Sequence, residues 1–233
     1  MAEPTQTAKV LSVTDLTPNV RQLIALPKTQ KLSFQPGQWV SLKLPVGAKP
    51  PLNRAYSLAT PESPSGELTL VFDRVPQGTG SEYLYGLRAG DDLSLSGPYG
   101  SFVLPKPLDR ELLFITHYTG LVPVRCMVKA LYAHRDAPPV LVIAVGPAED
   151  ELVYHYEFLS LAMTRASFRY FPLVASSEEA AVALTVSMLR PLIDGKPKVI
   201  PLLCGTKGFV RPLRSYFIEA GYDRKEVKTE TYD

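Results

Sequence analysis

Two short stretches in the first half of the chain combine residue types suited to holding an anion. The first is Arg54-Ala55-Tyr56-Ser57, where alternation along a strand puts the Arg54 cation and the Tyr56 ring on one face and Ser57 on the other. The second is Gly78-Thr79-Gly80-Ser81, which leads into the helical segment SEYLYGL. Glycines at a helix start let a ligand approach the main chain, and the first-turn amides have no partner inside the helix. Ser81 reads as the N-cap, with a hydroxyl that can also donate, and Glu82 follows in the first turn. A fixed cation beside several amide donors is what a dianionic diphosphate requires. Taken alone, the Arg-Ala-Tyr-Ser stretch is unremarkable and suits a half-buried edge strand better than a binding site.

Other chemistries lack the residues they need. Cys126 and Cys204 are the only cysteines and lie far apart, so neither a zinc site nor an iron–sulfur cluster can be assembled. His117, His134 and His155 show no ligand spacing and are read as non-ligating, so no metal is expected and redox chemistry would need an organic cofactor. With 25 Lys and Arg against 23 Asp and Glu, interspersed along 233 residues, no patch for nucleic acid or an anionic membrane stands out. No apolar run is long enough for a membrane span, and MAEPTQTAKV lacks an apolar signal core, which makes a cytoplasmic protein the expectation.

The elements that would position these groups fall into two grammars. Residues 8 to 104 read as short strands broken by Pro and Gly (AKVLSVTDL, VRQLIAL, QWVSLKLP, RAYSLAT, ELTLVFDRV, DDLSLSGPYGSF), the pattern of a small antiparallel β-barrel. From about residue 109, the apolar strands ELLFIT, VLVIAVG, FRYFPLVA and KVIPLLCG alternate with amphipathic helices near 122–134, 149–164, 178–190 and 208–220, followed by EVKTETYD. That alternation predicts an α/β doubly wound parallel sheet. The boundary falls in LPKPLD, dividing the chain into a barrel at 1–106 and an α/β domain at 107–233.

In this order the motifs resemble the ferredoxin–NADP reductase superfamily. An R-x-Y-S motif at Arg54 to Ser57 follows the Pro36-Gly37-Gln38 strand start, a G-x-x-S segment occupies Gly78 to Ser81, and GDDLSLSGPYGSF closes the barrel. The resemblance spans nearly the whole chain and implies a flavoprotein without an iron–sulfur domain of its own. It implies FAD on the barrel, held by Arg54, Ala55, Tyr56, Ser57, Gly78, Thr79, Gly80 and Ser81, with Arg54 on the phosphate, Tyr56 against the isoalloxazine and Ser57 near flavin N5. It also implies an NAD(P)-binding-like second domain. Thr119, Gly120, Cys204 and Gly205 are the nicotinamide-site candidates, Ser57, Cys204 and Glu230 the catalytic ones, and Tyr232 the terminal aromatic stacked on the flavin. Read without the resemblance, Cys204 suits a buried structural thiol and Tyr232 a frayed terminus.

The chain departs from this pattern at one loop. Where relatives have G-T-G-I-A-P, it has Tyr118-Thr119-Gly120-Leu121-Val122-Pro123, preceded by His117. A Tyr118 side chain must clash with a diphosphate, swing outward, or occupy part of the nucleotide site. If the position needs φ > 0, tyrosine costs about 1–2 kcal/mol, roughly a tenfold loss of affinity. Ala148 stands where many relatives carry a ribose-diphosphate arginine, and Ser176, Ser177, Glu178 and Glu179 follow FRYFPLVA, a mild preference for NADH over NADPH. Two readings follow. In one, the chain is an FAD-dependent oxidoreductase passing electrons between a nicotinamide cofactor and a small-molecule or protein acceptor (ferredoxin- or flavodoxin-like) by hydride transfer to flavin N5; Cys204, Glu230 and Tyr232 favour it. In the other it is an FAD-binding electron-transfer or regulatory subunit with an eroded nicotinamide site, reduced by a protein partner; His117, Tyr118 and Ala148 favour that.

Overall fold

The computed structural model describes residues 5–47, 50–133, 137–195 and 199–232; His134 lies outside them. Contacts divide the chain into two compact units, Met1–Leu104 with Val122–His134, and Pro105–Leu121 with Arg135–Asp233.

The first unit is built on six antiparallel strands: β1 (Gln6–Thr17), β2 (Val20–Pro27), β3 (Trp39–Leu44), β4 (Leu52–Ser57), β5 (Leu68–Asp73) and β6 (Asp92–Tyr99), in the order β4-β3-β6-β1-β2-β5. Turn residues such as Pro18-Asn19, between β1 and β2, set the hairpins, and alternation sends every second side chain inward. The two edge strands meet where β4 runs on into Leu58, which bridges Leu70 of β5, while the Ala59 amide donates to Thr69 O at 2.9 Å. The sheet is thereby closed into a barrel around Leu23, Ala25, Val40, Leu42, Leu58, Leu70 and Leu95.

Helix α1 (Thr79–Gly86) follows β5, with Leu84 in the barrel core. Its N-cap is Gly78, three residues before the Ser81 cap expected from sequence. The Ser81 hydroxyl accepts from Val75 N at 3.0 Å and donates to Asp73 O at 3.2 Å, tying the helix to the chain leaving β5. Helix α2 (Leu121–Tyr132) packs on the barrel. Its Cys126 joins the barrel core, and Arg125 Nη1 donates to Ala59 O at 2.9 Å. Gly37, at φ +103°, allows this approach, since a Cβ there would overlap Phe102 O and the Met127 side chain.

The second unit holds five parallel strands, β7 (Glu111–His117), β8 (Val140–Gly146), β9 (Phe168–Val174), β10 (Val199–Thr206) and β11 (Lys228–Tyr232), in the order β11-β10-β7-β8-β9. Every residue of β8 is buried, as a strand covered on both faces demands. The remaining helices are α3 (His155–Thr164), α4 (Glu178–Ile193), capped by Ser177 accepting from Ala180 N, and α5 (Lys207–Glu219). The apolar faces of α4 and α5 join Ile115, Ile143 and Leu203 through Leu189, Phe209, Leu213 and Phe217. The helix expected over 149–164 is broken: Glu149–Glu151 forms a 3-10 turn, and Tyr154 at φ +54° interrupts before α3. An antiparallel barrel followed by a doubly wound parallel sheet is the fold class read from the sequence. Among the described residues, no helix is long and apolar enough to cross a membrane.

Candidate functional site

On the barrel, pairing of β4 with β3 leaves Arg54 and Ala55 exposed, Tyr56 half-buried and Ser57 buried. Arg54 spends one guanidinium nitrogen on Asn53 O of its own strand, at 2.9 Å, and the side chain remains exposed. Burial, reinforced by Asp73, pushes the Tyr56 phenol up to about 12, with Arg54 opposing, so Tyr56 is neutral at ordinary pH. Its ring meets Phe72 edge-on at 6.0 Å, and Phe72 meets Tyr85 edge-on at 5.6 Å. The Arg21 and Arg74 guanidinium groups each lie 4.6 Å from the Tyr85 centroid.

The first turn of α1 lies against the start of β4. A Cβ on Gly80 would come within 2.9 Å of Leu52 Cδ2, so a side chain there would have to push the Leu52 side chain aside. Gly78 is the N-cap residue, and no side chain caps the helix. The amides of Thr79, Gly80 and Ser81, the Thr79 hydroxyl and the Arg54 guanidinium form a donor set that fits a diphosphate, and Tyr56 offers a ring face for an aromatic system. The Ser81 hydroxyl is not part of that set, since Asp73 and Val75 hold it; only its amide is.

The second unit gathers another group of candidates at the carboxyl ends of its strands. Parallel pairing sets Glu230 opposite Cys204 and Tyr232 opposite Thr206. Cys204 is fully buried and its Sγ donates to the Tyr232 hydroxyl at 3.2 Å. Burial drives the thiol well above its ordinary range, with the Glu230 charge adding to the effect and the Tyr232 bond opposing it, so Cys204 is a thiol and not a thiolate nucleophile. Burial raises the Glu230 carboxyl to about 7.

The loop after β7 packs directly on these residues. Tyr118–Gly120 is a 3-10 turn, and a Cβ on Gly120 would overlap Cys204 O. Gly205, at φ +155°, leaves room for His117, whose Cβ would lie 2.8 Å from a Cβ there. The His117 ring stacks on Phe209 at 5.1 Å, and burial lowers its pKa against the pull of Glu178. The Glu178 carboxylate sits against Gly208 in the first turn of α5. Thr119 is half-buried in the turn, between Tyr118 and Gly120.

Tyr118 itself has φ +50°, the left-handed region where glycine carries no penalty. Its hydroxyl donates to Glu151 Oε2 at 2.9 Å, and Glu151 is only 6% exposed. A hydrogen bond contributes about 0.5–1.5 kcal/mol, comparable to the roughly 1–2 kcal/mol cost of a tyrosine in this conformation. Glu151 is the residue that sequence reasoning missed. It lies within the run Glu149-Asp150-Glu151, and nothing in such a run marks which carboxylate turns inward.

Comparison with known proteins bears on both units. Residues 7–104 match the family model described as an oxidoreductase FAD-binding domain. The chain is 30% identical to ferredoxin–NADP reductase B of Sorangium cellulosum over 243 aligned positions, covering 100% of this chain and 99% of that protein. It is 29% identical to the toluate 1,2-dioxygenase electron transfer component of Pseudomonas putida, covering 87% of this chain but only 62% of that longer protein. Among solved structures, ferredoxin–NADP+ reductase from Plasmodium falciparum shares the fold, with a TM-score of 0.85 at 17% identity, covering 98% of this chain and 96% of that one.

Proposed function

The chain belongs to the ferredoxin–NADP reductase superfamily of FAD-dependent NAD(P)H reductases, and from that premise we propose that it oxidises a nicotinamide dinucleotide and delivers the electrons to a separate redox protein of the ferredoxin or flavodoxin kind. The observation that carries the flavin side is the uncapped first turn of α1 lying against β4, with Arg54 free to reach a phosphate. Bound there, FAD would supply the exchange between two-electron and one-electron steps. In this reading the Thr79, Gly80 and Ser81 amides and Arg54 neutralise the diphosphate, Tyr56 and Ala55 flank the ring system, and Ser57 lies near its reactive edge.

On the second unit, we assign Thr119, Gly120, Cys204 and Gly205 to nicotinamide binding. Glu230 holds a proton near neutrality beside Cys204, and Tyr232, tethered by the thiol, is the aromatic that gives way to nicotinamide. Glu178, against the first turn of α5, disfavours the additional 2′-phosphate of NADPH, so NADH is the preferred donor. The second reading, a flavin-binding subunit reduced by a protein partner, is favoured by His117, Ala148 and above all Tyr118, whose φ is +50° and whose hydroxyl donates to Glu151.

Stopped-flow mixing of the FAD-loaded protein with NADH and NADPH, followed by flavin absorbance, decides between them. Bleaching within seconds, faster with NADH, is the expected result. Flavin that dithionite reduces but neither nucleotide does would overturn the reductase reading.

A further inference from the structure

The loop after β7 stands where a doubly wound sheet reverses its strand order, between β7 and β10, the place at which such sheets receive a nucleotide. Three observations there converge on one pair of residues. Tyr118 keeps a left-handed backbone at φ +50°, the conformation a glycine would take, so the loop retains a glycine path while carrying a large side chain. Its hydroxyl is fixed to Glu151 Oε2 at 2.9 Å, which ties the turn after β7 to the turn after β8. Glu151 is only 6% exposed, so its carboxyl group is held in place by its surroundings and is not a mobile surface group. Another carboxylate, Glu178, lies against the first turn of α5 at the same end of the sheet and acts on His117 beside Tyr118.

A dinucleotide brings a dianionic diphosphate to this loop and needs its amides uncovered. A ring at position 118 puts bulk into this loop that a glycine would not, and a carboxylate at position 151 would oppose the phosphates. We propose that Tyr118 and Glu151 form a latch that sets the dinucleotide affinity of this chain: the diphosphate reaches the amides of the loop only when the Tyr118 hydroxyl lets go of Glu151. The latch rests on the reductase reading above. It makes Tyr118 and Glu151 affinity-setting residues and not catalytic ones, since neither touches the atoms that exchange electrons. Opening the latch changes how much nucleotide is needed and leaves unchanged what happens once it is bound.

Three substitutions separate the ring, the bond and the charge. Tyr118→Phe keeps the ring and removes the O–H; Glu151→Gln keeps an acceptor and removes the charge; Tyr118→Gly removes the ring and suits the left-handed backbone. In the full FAD-loaded chain, binding of NAD+ and NADP+ is measured by isothermal titration, independent of turnover, and flavin reduction by NADH is followed in parallel. Tyr118→Gly is expected to tighten both nucleotides by about tenfold or more, Tyr118→Phe and Glu151→Gln by smaller factors of about two to five. The half-saturating NADH concentration falls in step, while the limiting rate of flavin reduction stays within about twofold of wild type. Affinities unchanged or weakened in both Tyr118 variants, in protein that still binds FAD, would overturn the latch while leaving the reductase reading in place. If Tyr118→Gly fails to fold, Tyr118→Phe decides alone by the same criterion. Failure of every protein, Tyr118→Gly included, to bind either nucleotide while dithionite still bleaches the flavin would remove the reductase reading and the latch with it.

Discussion

The Cys204 thiol donates to the Tyr232 hydroxyl at 3.2 Å across the β10–β11 ladder, fastening the last strand of the chain at the residue where fraying would begin. With that bond, the phenol stays next to Cys204, which we assign to nicotinamide binding.

Thiol accessibility tests the arrangement. Cys204 and Cys126 are both fully buried, and burial raises the pKa of each, that of Cys126 to about 12. Ellman's reagent at about pH 8 is expected to find no fast-reacting thiol in the native protein and both after denaturation. Labelling of Cys204 within seconds in the folded protein would show that β11 does not cover it. Tyr232→Ala is expected to raise the labelling rate at Cys204 selectively, with Cys126 unaffected on its separate unit.

Glu230 makes stability depend on pH. Its carboxyl rises from an ordinary 4.5 to about 7 because it is buried, so the folded chain holds that proton more tightly than the unfolded one. The contribution is fully present below about 4.5, declines as pH rises through the interval to about 7, and is absent above it. Glu230→Gln keeps the shape without the proton. Thermal melts across this range should be flatter for the variant, with the variant gaining on the order of 1–2 kcal/mol relative to wild type at the alkaline end. Parallel pH profiles for the two proteins would rule out Glu230 as the titrating group.

How much of this was readable from the sequence follows from what each feature depends on. The strands of the barrel are punctuated by their own Pro and Gly residues, and VLVIAVG announces a buried strand by composition alone, so the two kinds of sheet are distinguishable, although the packing of α2 on the barrel is not. The start of α1 was displaced because Ser81 looks like a cap, and only the three-dimensional proximity of Asp73 and Val75 shows that its hydroxyl is occupied. The pairing of Cys204 with Glu230 depends on the parallel register of β11, which local spacing does not encode. Glu151 depends on the turn of a single residue within an acidic run, followed by a left-handed Tyr154 that no propensity favours.

Gly120 shows why a residue matched to a nucleotide motif can have a packing reason of its own. A methyl group there would overlap Cys204 O and lie 2.7 Å from Cys204 C, atoms of a buried central strand with nowhere to move. Gly120→Ala is therefore expected to destabilise the protein by about 1–3 kcal/mol, measured by urea unfolding without any nucleotide present. Unchanged stability together with lost nucleotide binding would assign the glycine to ligand approach alone.

On the barrel, Arg54 and Ser81 should part company when each is reduced to alanine. Arg54 is exposed and bonds to the carbonyl of its neighbour in the strand, so Arg54→Ala should leave the melting temperature of the apoprotein nearly unchanged. Losing a charge-assisted contact to a diphosphate should weaken FAD by about tenfold to a hundredfold, read by flavin fluorescence on titration into apoprotein. Ser81→Ala has the opposite profile. It leaves the Val75 amide and the Asp73 carbonyl without their hydroxyl partner, destabilising the apoprotein by about 1–3 kcal/mol, yet the helix amides facing the diphosphate remain. Its effect on FAD affinity should stay within about threefold once the loss of folded protein is accounted for. Equal losses of FAD affinity in the two variants would mean that the Ser81 hydroxyl leaves Asp73 and Val75 to reach the cofactor.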